Sequence, residues 1–140
     1  MSLLNDARLC PLPFEFAENG DLVFVESMKH VPFLIARVFV VRGPRGAVRG
    51  RHAHKKCSQF MFCSHGAIDV NCDNGSQTTT YRLNKPDIGL LVPPGIWAQQ
   101  LYLSEQSVLT VLCDRLFESE DYIRNYDEFK MHKQPISKGC

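Results

Sequence analysis

Between residues 20 and 115 the chain alternates short apolar runs with residues that turn the backbone. DLVFVES, PFLIARVFVV, SQFMFC, AIDVNC, TTTYRL, IGLLV, WAQQLYL and SVLTVLC are rich in β-branched and aromatic side chains, and SHG, DNGS, NKPD, PPG and SEQ stand between them. In DNGS, Asn74-Gly75 suits the two positive-φ positions of a type I′ hairpin turn. The pattern predicts about eight to ten strands with no helix among them, hence an all-β fold, an antiparallel sandwich or barrel of the jelly-roll kind. Beyond residue 115 the period changes. In FESEDYIRNYDEFKMHK, Tyr122, Tyr126 and Phe129 recur at i, i+4 and i+7, which predicts a short helix or two turns over about residues 118–133, docked on the barrel, with Ser119 and Asn125 as capping candidates.

Composition narrows this picture. A chain of 140 residues, 44% apolar, fits one domain, with the barrel over about residues 20–115. Sixteen basic against fifteen acidic residues give a net charge of +1, which leaves no global attraction for nucleic acid or an anionic membrane, so any anion site is local. No run is long enough to cross a membrane as a helix, and MSLLNDARLC lacks the order of a signal peptide, so the expected location is the cytoplasm. The cysteines (Cys10, Cys57, Cys63, Cys72, Cys113, Cys140) form no C-x-x-C pair and are expected to be reduced, with Cys63, Cys72 and Cys113 as small core residues.

The candidate chemistry lies in RGRHAHKKCSQF. Gly46, five residues, His52-Ala53-His54, four residues, Gln59, six residues and Gly66 reproduce the spacing of the first cupin motif, with glutamine where that motif has glutamate. Residues two apart on a strand share a face, so His52 and His54 are expected to point together into the interior. In a metal-binding cupin a carboxylate and a third histidine complete the ligand set. Here Gln59 is uncharged, and PPGIWAQQ offers Trp97 and Ala98 instead of the histidine. Two imidazoles flanked by Arg49, Arg51, Lys55 and Lys56 are a poor cation site, so no metal and no cofactor are expected. An acid/base couple operating near neutral pH fits better, with the cations keeping imidazole neutral and attracting an anionic substrate.

VPFLIARVFVV, RGRHAHKK, LLVPPGIWAQQLYLS and DYIRNYDEF together resemble the nucleotide-sugar 3,4-ketoisomerases, cupin-fold enzymes, over roughly residues 20–130. The resemblance implies a metal-independent shift of a ketone from C4 to C3 of a thymidine diphosphate (TDP)-linked 4-keto-6-deoxy sugar through an enediol. It also implies a homodimer, and carries acid/base roles onto His52 and His54. Arg49 and Gln59 are candidate donors to the developing enolate oxygen, Arg37 a candidate for a substrate or diphosphate contact, and Trp97 a candidate pocket wall or, equally, a core residue. Phe39 stands where the family has tyrosine, which removes a hydroxyl from the expected pocket. Tyr102 or Tyr81 is a candidate replacement. Three other readings stay open: a 3,5-epimerase on the same substrates, a non-catalytic sugar-nucleotide-binding cupin, and a metal-dependent cupin oxygenase.

Overall fold

The computed structural model describes residues 6–134. Among them the strands are β1 (Arg8–Pro11), β2 (Phe14–Ala17), β3 (Gly20–Val23), β4 (Arg37–Gly43), β5 (Val48–His54), β6 (Gln59–His65), β7 (Ile68–Asp73), β8 (Thr78–Leu83), β9 (Ile88–Val92), β10 (Trp97–Tyr102), β11 (Ser107–Cys113) and β12 (Tyr122–Ile123), followed by helix α1 (Tyr126–Lys133). One five-stranded sheet has the order β1-β9-β6-β11-β4, the other β12-β5-β10-β7-β8, and β2-β3 form a separate hairpin. The sheets pack as an antiparallel jelly-roll sandwich. It is not a closed barrel, because β1 and β4 end one sheet, β12 and β8 end the other, and no ladder joins those edges.

The alternation of the sequence explains the layering. In β4, Arg37, Phe39 and Val41 turn inward while Val38 and Val40 remain exposed. The main core between the sheets holds Met61, Ile68, Val70, Leu83, Leu90, Leu109 and Val111, with Cys63, Cys72 and Cys113 among them. All five cysteines among the described residues are unpaired thiols, and Cys140 lies outside that range. A second cluster of Leu12, Val31, Phe60, Leu91 and Leu112, with Val23, Val25 and Phe33 packed against it, closes part of the N-terminal segment over the first sheet. DNGS makes the expected hairpin between β7 and β8. Its loop is longer than a two-residue type I′ turn, however, with Gly75 at φ 96° and the Asn74 side chain accepting from the Ser76 and Gln77 N–H groups.

The C-terminal segment carries the expected short helix, preceded by a helical turn and a short strand. Ser119–Asp121 form one 3-10 turn, Tyr122 and Ile123 pair with His54 and Ala53 of β5, and only then does α1 begin. The helix starts where it does because the Asn125 side chain accepts from the Glu128 N–H at 3.0 Å, a side-chain N-cap. Its one buried residue, Phe129, packs with Trp97, Ala53 and Ile123 on the outer face of the second sheet. Burial of such a side chain contributes about 1.5–3 kcal/mol. That anchor holds β12 against β5.

Candidate active site

Two features of β5 aim the histidines. Ala53, fully buried, faces outward beneath α1, so its neighbours His52 and His54 face inward. Upstream, the pairing with β10 slips: Ala98 opposes His52 and Gln99 opposes Gly50, leaving Arg51 as the extra residue of a β-bulge. Gly50 and Arg51 both have positive φ, 85° and 60°. A side chain at Gly50 would meet the Gln100 amide oxygen at 2.6 Å, so glycine is required there on two counts. The bulge inverts the alternation, and Arg49 thereby joins His52, three residues on, in lining one cavity.

That cavity, about 280 Å³, opens between the sheets. Phe39, Val41, Met61, Leu109 and Val111 form its apolar side, and Arg49, His52, Gln59, Gln100, Tyr122 and Arg124 its polar side. Arg49 and Arg124 are exposed, whereas Gln59 and Gln100 are buried. The size is near the lower end of the roughly 300–1,000 Å³ usual for small-ligand pockets, enough for a sugar ring with its remaining parts outside.

Behind His52 stands a buried pair. His54 Nδ1 lies 2.8 Å from Asp121 Oδ2, with both side chains almost wholly shielded from solvent. The other oxygen of Asp121 accepts from the Lys56 N–H at 2.6 Å. Burial alone would raise the Asp121 carboxyl, but hydrogen bonds from His54 and from backbone N–H groups hold it below the usual carboxylate range. An ionised Asp121 makes His54 Nδ1 the proton donor, which leaves His54 Nε2 as a bare acceptor. That nitrogen is buried and meets no hydrogen-bond partner among the described residues. Burial pulls His54 down despite Asp121, and pulls His52 down to about 4, helped by His54. Both rings are therefore neutral near pH 7. They stand edge to face at 5.1 Å, and the Tyr122 ring contacts both, at 5.1 Å from His52 and 4.4 Å from His54.

The Tyr122 hydroxyl accepts from Arg37 Nη2 at 3.3 Å, and the same nitrogen lies 3.4 Å from Cys113 Sγ. Gln59 Nε2 is 3.6 Å from that sulfur. A hydrogen bond from Cys57 pulls the Cys113 thiol down to about 6 despite its burial, and Arg37 and Gln59 act in the same direction. Arg37 also stacks over the Phe39 ring at 5.2 Å.

Of the residues singled out in the sequence, His52, Phe39, Arg49 and Gln59 line the cavity together, and His54 lies directly behind His52. Arg37 stands beneath the cavity and touches it only through Tyr122 and Phe39. Trp97 takes the core alternative, packing under α1 at 5.3 Å from Tyr126 and 5.8 Å from Phe129. Tyr102 is fully buried and donates to the Val41 carbonyl at 3.2 Å, and Tyr81 donates to the Ala7 carbonyl at 3.0 Å. Neither hydroxyl lines the cavity. Asp121, Tyr122, Arg124 and Gln100 are not among the site residues expected from the sequence. The only sequence signal for the first three was the DYIR string, whose helical spacing concealed its pairing with β5. At the cupin-motif positions the fit to a metal is poor: the Gln59 amide nitrogen turns to Cys113, and Ala98 offers no ligand.

The profile of the family described as "FdtA: WxcM-like, C-terminal" matches residues 5–134. The chain belongs to this family. A curated relative from Aneurinibacillus thermoaerophilus, TDP-4-oxo-6-deoxy-alpha-D-glucose-3,4-oxoisomerase, is 38% identical over 85% of this chain and 86% of its own length. The crystal structure of a histidine-to-asparagine variant of the 3,4-ketoisomerase QdtA from Thermoanaerobacterium thermosaccharolyticum, in complex with TDP-4-keto-6-deoxyglucose, superposes with a TM-score of 0.89. It is 28% identical, over 94% of this chain and 96% of that one. The TDP-quinovose 3,4-ketoisomerase WlaRB of Campylobacter jejuni superposes with a TM-score of 0.84 at 32% identity, over 89% of this chain and 97% of that one.

Proposed function

We propose that this chain is a TDP-sugar 3,4-ketoisomerase acting on a TDP-4-keto-6-deoxyhexose. The observation that carries the reading is His52 facing the cavity in neutral form with the Asp121–His54 pair directly behind it. His52 removes the proton from C3, beside the C4 ketone, and the C4 oxygen gains a proton as the enediol forms. Release of the C3 hydroxyl proton and delivery of a proton to C4 then leave the ketone at C3. His54, whose ring stands edge to face with His52 at 5.1 Å, accepts and returns the proton within the pair, while the Asp121 charge stabilises the imidazolium that each turnover creates. The Tyr122 hydroxyl, polarised by Arg37, donates to the developing enolate oxygen and takes the place of the hydroxyl missing at Phe39. Arg49 and Arg124, exposed beside the cavity, suit the diphosphate.

Proton NMR of the 4-keto substrate with enzyme in deuterated buffer tests the assignment. A 3-keto product with solvent deuterium at C4 is expected, whereas exchange at C5 would indicate an epimerase and binding without exchange a non-catalytic module. In the same assay Tyr122→Phe should lower kcat by about 10- to 100-fold with KM little changed. An unchanged kcat would remove Tyr122 from the mechanism.

The reading includes a homodimer and, from the reduced thiols and the sugar-nucleotide substrate, a cytoplasmic location. Val38 and Val40 on edge strand β4 are each 57% exposed, and Phe16 and Leu22 of the β2-β3 hairpin 76% and 53%, more apolar edge than a monomer usually leaves bare. Light scattering should give twice the chain mass, and Val38→Lys with Val40→Lys should shift it toward the monomer. A monomeric parent protein would end this part of the reading. No helix among the described residues is long and apolar enough to cross a membrane.

A further inference from the structure

We infer that His54, Cys57 and Asp121 form a binding site for a thiophilic divalent cation of the zinc type, and that its occupation silences the enzyme. One ligand atom from each residue lies within 4.8 Å of the others, and all three residues are buried. A tetrahedral zinc ion with bonds of about 2.0–2.3 Å holds its ligand atoms roughly 3.3–3.7 Å apart. His54 Nδ1 and Asp121 Oδ2, now hydrogen-bonded at 2.8 Å, have to part by about half an ångström to admit the ion, with the Cys57 thiol completing the set from within 4.8 Å. These are not the positions of the cupin motif, apart from His54. Imidazole, thiolate and a single carboxylate favour zinc-like ions over magnesium or calcium, which need more oxygen ligands.

Charge sets a condition on the site: the hydrogen bond to Cys113 and burial keep the Cys57 thiol protonated in the free protein, so the ion has to displace that proton. Arg37 and Arg124 oppose a cation near His54, but the Asp121 carboxylate and the thiolate formed on binding supply two compensating charges. When the ion binds at His54 Nδ1, the proton there moves to Nε2, and Cys57 releases its thiol proton to solvent. No electron is transferred. The lone pair on Nε2, buried and without a partner in the free protein, is then replaced by N–H and can no longer take up a proton. Silencing rests on the role proposed for His54, whereas binding does not.

Titration of tag-free, chelator-stripped protein with cobalt(II) tests the binding directly. One cobalt per chain is expected, with the near-ultraviolet thiolate-to-cobalt band and the visible bands of tetrahedral cobalt, and displacement by zinc. The thiolate band should vanish in Cys57→Ala and in the better-filled Cys57→Val, two variants that guard against a packing artefact. Zinc should lower the ketoisomerase rate of the parent protein by about tenfold or more and leave both variants, whose basal rates are kept, unaffected. Absence of the thiolate band in the parent protein would overturn the site. A band without zinc inhibition, or equal inhibition of parent and variants, would overturn the silencing. Because the cobalt spectrum needs no turnover, it separates failure of the site from failure of the ketoisomerase assignment.

Discussion

His52→Asn is expected to lower kcat for ketone migration by about three orders of magnitude, within the roughly 10²–10⁴ range that general acid–base groups contribute. Solvent deuterium incorporation at C3 of recovered substrate and at C4 of product should fall in parallel, because both begin with the proton that His52 removes from C3. Binding of TDP should change by only a few-fold, since the groups suited to the diphosphate, Arg49 and Arg124, are not held by the His52 ring. The pH profile carries a second signature. A base works in its neutral form, and burial together with His54 brings His52 down from 6.5 to about 4, so the acid limb of kcat/KM should lie well below 6.5. A limb at the ordinary histidine value, or a variant with full activity, would remove His52 from the reaction. A variant that retains exchange at one carbon only would instead divide the two proton transfers between the two histidines.

The sandwich was legible because its strands are amphipathic. Alternation in PFLIARVFVV places Arg37, Phe39 and Val41 on the inner face, and a separation of two residues puts His52 and His54 on one strand face. The bulge was harder to read. A strict period of two puts Arg49 opposite to His52, and only a register slip at Gly50 and Arg51 brings both to the cavity. Glycine before arginine hints at such a slip, but the crowding by Gln100 that demands it is a tertiary fact. Trp97 and Tyr102 illustrate the converse difficulty. Both are inside the protein, but whether a buried aromatic side chain lines a cavity or fills a core depends on which sheet face its strand presents.

Asp121 was hidden for a related reason, and its replacement provides the sharpest test of the buried pair. Tyr122, Tyr126 and Phe129 have helical spacing, so the DYIR string reads as part of a helix on the outside. Two residues of pairing with β5 instead bring Asp121 to His54, and no two-residue strand can be recognised from its composition. Asp121→Asn keeps nearly the same volume and retains an oxygen for the Lys56 N–H. Its amide NH2 then faces His54 Nδ1 as a donor, so the imidazole must turn Nδ1 into the acceptor and carry its proton on Nε2. The open lone pair on Nε2 is lost, and with it the negative charge that stabilises the imidazolium. The expected result is a fall in kcat of about 10²–10³ with KM little changed, the pattern of a residue acting through a histidine's tautomer and charge. Long-range nitrogen–proton NMR should show His54 protonated at Nδ1 in the parent protein and at Nε2 in Asp121→Asn. If the tautomer switches while kcat holds, His54 is a structural neighbour of the reaction, and His52 works without it.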